Sequence, residues 1–478
     1  MKLIYAYCIL FLLSCIPAFA LPPAYSIKIK VKGLKDTVVY LAYHYGDKQY
    51  LKDTARIDSK GLFIFDGKEA LPGGIYMAVL PDKRYFEFIV SEQFFSLETD
   101  TADYVRHMKV TGSAENKLFY GYLQYLYPKG RAIDSLRKQL AKAKIKSDST
   151  AIITQMENID KDIINYRKDI VKNHPQTFVA KIYNSMDIVQ PTQEEKDVAK
   201  ARKDSLFEFN FYKAHFFDHI DFTDDRIIRT PIFHQKIKEY MSNLTVPTVD
   251  SINKSADYLA TKAKGNKELF KYVVWYVTTT YETSNLMGSD GVFVHMVEKY
   301  YKTKQAYWVD TATLKKIIER ADILKPLLIG KNMPNVTLWD SLDYPHTLYS
   351  MKARYTIAYF WDPNCGHCQK ETPKLYDLYK KYASKGVDVY AVNIDREPKD
   401  WKKYVREHKL NWMNVMDNHL SCNFRIQYDI YSTPVIYLLD EKKKIIAKRI
   451  GVEQLDEILD SYINNKPLRN KVTKTEEH

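Results

Sequence analysis

Two cysteines three positions apart, Cys365 and Cys368, follow an apolar run from Tyr355 to Trp361 and open a stretch of helical character from Gln369 to Ala383. In the first turn of a helix such a pair can close a small, reversible disulfide, Cys365-Cys368. The helix N-terminus also favours thiolate on the first sulfur. The spacing predicts dithiol–disulfide exchange. A bare C-x-x-C also serves as half of a zinc site, but zinc needs two further ligands at a suitable spacing. The remaining downstream cysteine, Cys422, has no C-x-x-C partner. Redox chemistry is favoured over a metal, and no cofactor is expected. His215 and His219, four apart beside Asp218, have metal-ligand spacing but no third ligand at a defined offset, so a packed or surface pair is expected there.

The pattern around the pair is strand–helix alternation. Val336–Leu338, Tyr355–Trp361, Val387–Val392, Trp412–Met416, Val435–Leu439 and Lys444–Ile450 read as strands. Gln369–Ala383, Pro398–His408, Cys422–Tyr428 and Gln454–Ile463 read as helices. Ahead of it the chain changes character twice. Residues 25–110 carry short apolar runs with turn signals such as Asp58-Ser59-Lys60-Gly61 and Pro72-Gly73-Gly74, which predicts a small antiparallel sandwich or barrel. From Ser113 the period is helical, Leu136 to Val171 suggests a helical hairpin, and Pro175, Pro191, Pro231 and Pro247 punctuate further helices. The expected fold class is multidomain: an antiparallel β-sandwich-like domain (21–112), an all-α domain (113–326) and an α/β domain with a charged tail (327–478).

Residues 327–466 resemble the thioredoxin superfamily and, within it, the exported TlpA/ResA-like branch. The resemblance rests on Trp361-Asp362-Pro363-Asn364-Cys365-Gly366-His367-Cys368, Glu371-Thr372-Pro373, Ser432-Thr433-Pro434 and Gly451. It implies a thioredoxin fold with a sheet of four to five strands flanked by helices, and the cysteines at the tip of the first long helix. Cys365 is then the nucleophile, where orphan backbone N–H groups stabilise negative charge. Cys368, one turn in, is the resolving thiol. Glu371, three residues later, matches the branch's buried acid and would take the Cys368 proton. The aspartate that thioredoxins carry six residues before the first cysteine is Tyr359 here, which leaves proton handling to Glu371.

Gly366-His367 matches the dipeptide of protein disulfide isomerase, whose couple is about −180 mV against about −270 mV for thioredoxin. Protonated His367 would favour the Cys365 thiolate. Pro373 is expected to kink the active-site helix. Thr433-Pro434 matches the family's cis-proline loop, which would pair with an extended substrate segment. Trp361 is expected to shield the disulfide, and Gly451 to permit close backbone approach. Cys422 is expected to be a lone buried thiol. Residues 25–325 look like the uncharacterised leaders found ahead of such domains in some exported bacterial proteins.

The chain has 478 residues, enough for about three domains, with 45% hydrophobic and 27% charged residues and 38 tyrosines. Met1-Lys2, an apolar run from Leu3 to Ile16 and Ala18-Phe19-Ala20 read as a signal peptide over 1–20, too short to span a bilayer. A competing reading makes Cys15 a lipidated N-terminus, hence a lipid anchor. Past residue 20 only Cys365, Cys368 and Cys422 remain, so disulfides are not the scaffold. The net charge of +13 is spread among acidic neighbours, which reads as a solvated basic surface with no nucleic acid partner.

The leading expectation is a thiol–disulfide oxidoreductase of the periplasm or cell envelope, more reductase than oxidase. It would exchange disulfides with protein cysteines and be recharged by a membrane electron donor. The alternative is an envelope binding protein whose leader domains recognise a ligand or partner, the redox pair being regulatory. The sequence leaves the oligomeric state open.

Overall fold

The computed structural model describes residues 22–143, 145–284 and 286–466. The signal-peptide segment with Cys15, and the tail from residue 467 onward, lie outside the described residues. The chain divides at Tyr240/Met241 into two compact units.

In the first unit, eight strands form two four-stranded sheets: β1 (Tyr25–Lys32), β2 (Val38–Tyr45), β3 (Lys48–Arg56), β4 (Leu62–Gly67), β5 (Gly74–Val79), β6 (Tyr85–Val90), β7 (Phe94–Asp100) and β8 (Lys109–Thr111). One sheet runs β4-β1-β7-β8 and the other β3-β2-β5-β6. Alternation explains the packing: Ile27, Ile29 and Val31 are fully buried while Lys28 and Lys32 between and beside them are exposed. The pairing of β1 with β7 is parallel, the others antiparallel. Strand β3 has no apolar alternation to announce it, because it is a mostly exposed edge strand.

Six helices follow: α1 (Ala114–Leu140), α2 (Lys146–Asn173), α3 (Phe178–Ser185), α4 (Gln193–Ala201), α5 (Phe207–His215) and α6 (Pro231–Asn243), which runs across the division. Ser113 caps α1 by accepting from the Asn116 N–H. The hairpin expected over Leu136–Val171 is larger and earlier. It is formed by α1 and α2, because charged Arg131–Lys142 keeps helical propensity with little apolar marking.

The second unit begins with α7 (Val249–Ala263), α8 (Lys267–Glu282), α9 (Asp290–Met296), which continues as a π-helical turn Val297–Tyr301, and α10 (Thr311–Leu324). Then come β9 (Thr337–Trp339), β10 (Pro345–Thr347), β11 (Tyr355–Trp361), α11 (Gly366–Tyr382), β12 (Val387–Asn393), α12 (Pro398–Glu407), β13 (Met413–Met416), α13 (Phe424–Gln427), β14 (Val435–Asp440), β15 (Ile445–Lys448) and α14 (Val452–Asn464). The sheet has seven strands in the order β10-β9-β13-β12-β11-β14-β15, not four to five. The extra width comes from β9 and β10, a short hairpin added beside β13.

Strand β11 lies at the centre, parallel to β12 and antiparallel to β14. Every residue of β11 is buried, as a strand covered on both faces requires. Tyr355, Ile357, Tyr359 and Trp361 join one core with Cys368 and Leu375, while Ala358 and Phe360 join the other with Phe424 and Tyr437. Both β11 and β12 end at the same edge of the sheet, which is where the cysteines sit.

Candidate active site

After Trp361 the chain turns through Asp362–Asn364. Asp362 Oδ1 accepts from the Asn364 N–H at 2.7 Å, and its carbonyl accepts from the Cys365 N–H at 3.1 Å. Cys365 then takes the N-cap position of α11 with extended backbone, φ −82° and ψ 121°. Its sulfur stands where a capping oxygen usually sits. Burial, the largest influence on this thiol, pushes its pKa up. That is outweighed by the Cys368 N–H, the Thr433 side chain, the His367 N–H and the Cys368 thiol, so the net shift is downward. Cys365 Sγ also lies 3.6 Å from the Thr433 carbonyl, which accepts from the thiol. Thr433-Pro434 is a cis peptide.

Cys368 is fully buried one turn further on. Burial pushes its thiol up to about 12, and the Asp362 N–H, donating to Cys368 Sγ at 3.5 Å, only partly opposes this. Both thiols are free. Two cysteines of one turn are thus placed oppositely: one reachable and more acidic, the other covered and less acidic. That asymmetry suits ordered exchange, with attack from Cys365 and resolution from Cys368.

The supporting residues divide. Trp361 is buried beneath the turn, its ring 5.2 Å from Tyr404 and 6.1 Å from Tyr359, and its indole N–H has no partner. It belongs to the floor rather than to an outer cover. Gly366 opens α11 with open space where a Cβ would stand. His367 is exposed, and it acts on the Cys365 sulfur through its backbone N–H. Pro373 lies inside α11 and leaves the Gln369 carbonyl without the donor four residues on.

Glu371 does not bond Cys368. Its side chain, 25% exposed, is ion-paired with Lys374 at 2.8 Å, and Lys374 also reaches Glu453 at 3.1 Å. Tyr359 is buried and shares a 2.8 Å hydrogen bond with Thr372 Oγ1. Burial drives its hydroxyl pKa far up, and Cys368 and Glu371 add to that. Gly451 is not at a close backbone approach: φ is −75°, and a Cβ there would meet only a Glu453 oxygen at 3.5 Å. It is the N-cap of α14, where Gln454 Oε1 accepts from its N–H at 3.1 Å.

The sequence reading missed two features. The Asp362 main chain bonds both cysteines, and no side-chain pattern can announce a backbone contact. Asn364 Nδ2 donates to Asp395 and Asp400, each at 3.3 Å, bringing carboxylates from after β12 and from α12 beside the turn. The rule that open α/β sheets place sites at strand carboxyl ends could have found Asp395. Outside this site, Cys422 is a free, partly covered thiol 3.7 Å from Asp417 Oδ2, raised in pKa by burial and that carboxylate. His215 pairs with Asp218, while His219 bonds the Asp187 carbonyl.

Comparison with known proteins gives the following likenesses. Residues 329–448 match the AhpC/TSA family, while 25–119 and 197–325 match domains of unknown function, DUF4369 and DUF5106. A thiol-disulfide oxidoreductase ResA of Bacillus cereus is 30% identical over 135 residues, 28% of this chain and 76% of that protein. ResA of Bacillus subtilis is 24% identical over 135 residues, 28% of this chain and 74% of that protein. Among solved structures, a domain of a possible thiol-disulfide isomerase from Cytophaga hutchinsonii is 50% identical, covering 29% of this chain and 96% of that one, with a TM-score of 0.28. A thioredoxin-like protein from Bacteroides caccae is 18% identical, covering 59% and 98%, with a TM-score of 0.46. Through its C-terminal domain the chain belongs to the TlpA/ResA-like thiol–disulfide oxidoreductases of the thioredoxin superfamily.

Proposed function

We propose that the protein is an exported enzyme that reduces disulfides of other proteins through Cys365 and Cys368. The observation that carries this reading is the split between the two thiols: Cys365 lowered at the start of α11, Cys368 buried and pushed up to about 12. Cys365 thiolate attacks one sulfur of a substrate disulfide, breaking it and expelling the partner thiolate. Cys368 then loses its proton and attacks the mixed disulfide. The products are Cys365-Cys368 and a reduced substrate, two electrons having left the dithiol. An extended substrate segment lies against Thr433 and Pro434, whose main chain faces Cys365. Glu371, on the same face of α11 three residues after Cys368, is the proposed acceptor of its proton, with its carboxylate now paired to Lys374.

The reducing direction is supported by the likeness to ResA-like proteins, and the net lowering of Cys365 sets how far the couple departs from the reducing end. Less thiolate stabilisation means a less oxidising couple. Export rests on the N-terminal segment 1–20. Among the described residues no helix is long and apolar enough to cross a membrane. The dithiol is restored by a membrane electron donor, and the enzyme works in the periplasm or cell envelope, with Cys15 the attachment point if it is lipidated. Equilibration with glutathione buffers and thiol counting tests the direction. A potential of about −250 mV or lower is expected; about −180 mV or higher would make it an oxidant or isomerase. The absence of a reversible couple would overturn exchange at this pair.

A further inference from the structure

Asp429 is a buried carboxylate at a backbone position that suits glycine. Helix α13 ends in a Schellman turn, in which the Asp429 N–H bonds the Ile426 carbonyl at 3.1 Å and the Ile430 N–H bonds the Arg425 carbonyl at 2.7 Å. Asp429 has φ +55°, the left-handed conformation that glycine adopts at lowest cost. The aspartate has a use that glycine could not serve. Its carboxylate is wholly shielded from solvent and held by two guanidiniums. Arg320 of α10 binds it as a fork, one nitrogen in close contact and the other 3.1 Å from Oδ2. Arg449, just after β15, contacts the same carboxylate and donates to the Asp429 carbonyl at 3.1 Å. A carboxylate removed from water needs such donors.

What this anchor holds is the approach to Cys365. Two residues on, Tyr431 is 72% exposed, and the Arg320 guanidinium lies 5.3 Å from its ring. Two further on, Thr433 presents its carbonyl to Cys365 Sγ at 3.6 Å. A neighbouring pair ties the adjacent helix α9 to the sheet. Lys448 of β15 pairs with Asp290 of α9 and donates to the Leu327 carbonyl at 2.7 Å.

We propose that Arg320 is a positioning residue for disulfide exchange. From a helix outside the thioredoxin fold, it holds the loop from Asp429 to Pro434, and the Tyr431 ring, in the shape that receives a substrate polypeptide beside Cys365. The proposal rests on the reading of Cys365 and Cys368 as a dithiol acting on proteins. Without Arg320 the carboxylate keeps Arg449, so the loop stays folded but loses its tie to α10 and the support beneath Tyr431.

The test uses the full chain, insulin as disulfide substrate with dithiothreitol as electron source, and iodoacetamide as a small probe of Cys365. Arg320→Met should raise KM for insulin about tenfold while kcat stays within about twofold. Its Cys365 alkylation rate and pH midpoint should match wild type. Arg320→Lys should fall between, since an ammonium cannot reproduce the two-nitrogen fork; if Arg320→Met fails to fold, the same criterion applied to Arg320→Lys decides. Tyr431→Ala combined with Arg320→Met should raise KM by less than the product of the two single effects. An unchanged KM, or a fall in alkylation rate parallel to the loss of turnover, overturns the assignment. Wild-type turnover with an indifferent Arg320 variant sinks this proposal alone. A wild-type protein that alkylates at Cys365 yet reduces no insulin sinks the exchange reading and this one with it.

Discussion

At Cys365 and Cys368 the same side chain has two chemistries because one lies at a helix start and the other in the core. Iodoacetamide should report the difference directly, in a protein lacking residues 1–20 and carrying Cys422→Ser, so that no other thiol reacts. Alkylation of Cys365 should rise with pH and level off below the ~8.5 of an unperturbed cysteine, since a lowered pKa brings the thiolate in at lower pH. In Cys365→Ser the remaining reaction should be slow and still climbing well above that pH, because Cys368 is pushed up to about 12. Equal midpoints would refute the asymmetry. Linkage gives the matching stability effect. Between about 8.5 and the folded value, Cys368 binds its proton better folded than unfolded, so its contribution is full below about 8.5 and is lost as pH rises. The reduced protein should therefore lose melting temperature relative to the oxidised protein as pH rises from 8 to 10. Cys368→Ser should trap mixed disulfides with substrate proteins, which non-reducing gels would reveal as higher-mass species.

At the level of elements, α11 and β11 make one unit through the Tyr359–Thr372 hydrogen bond, which ties the central strand to the active-site helix in the core. Tyr359→Phe leaves Thr372 without that partner and should cost about 1–2 kcal/mol, read from the denaturant midpoint, with Cys365 alkylation unchanged. Glu371→Gln breaks the pair with Lys374 and should slow resolution of the mixed disulfide in stopped-flow measurements while leaving first attack intact. Wild-type resolution rates would remove Glu371 from proton transfer. The pattern of β11, a seven-residue run broken only by Thr356 before the cysteines, was legible because a strand buried on both faces needs no alternation. Strands β3 and β10 were not, because exposed edge strands carry charged and polar residues. Gly451 shows the opposite failure: its residue type suggested tight backbone packing, yet it serves as a helix cap with ordinary dihedrals.

For the whole molecule, the thioredoxin sheet and helices α7–α10 lie in one compact unit. Lys448 and Asp429 are buried and paired with Asp290 and Arg320, which come from those helices. A fragment starting at residue 327 would leave Lys448 without Asp290 and Asp429 with Arg449 alone. It should melt lower than a fragment starting at 241, and removing one partner of a buried pair typically costs about 3–5 kcal/mol. Equal melting temperatures would show that these pairs add nothing to stability.

The sequence by itself determined the class of chemistry and the strand–helix alternation around the cysteines. The Cys-Gly-His-Cys spacing, the apolar strand before it and the Thr-Pro after it are local patterns, and local patterns specify which residues enter one turn or one strand. The distances that make the site work join residues far apart in the chain: Cys365 to Thr433, Tyr359 to Thr372, Arg320 to Asp429. Those only the tertiary structure decided. Burial sets which thiol is held protonated and which carboxylate needs a guanidinium, and burial is a property of the folded surroundings, not of the residue or its neighbours in sequence.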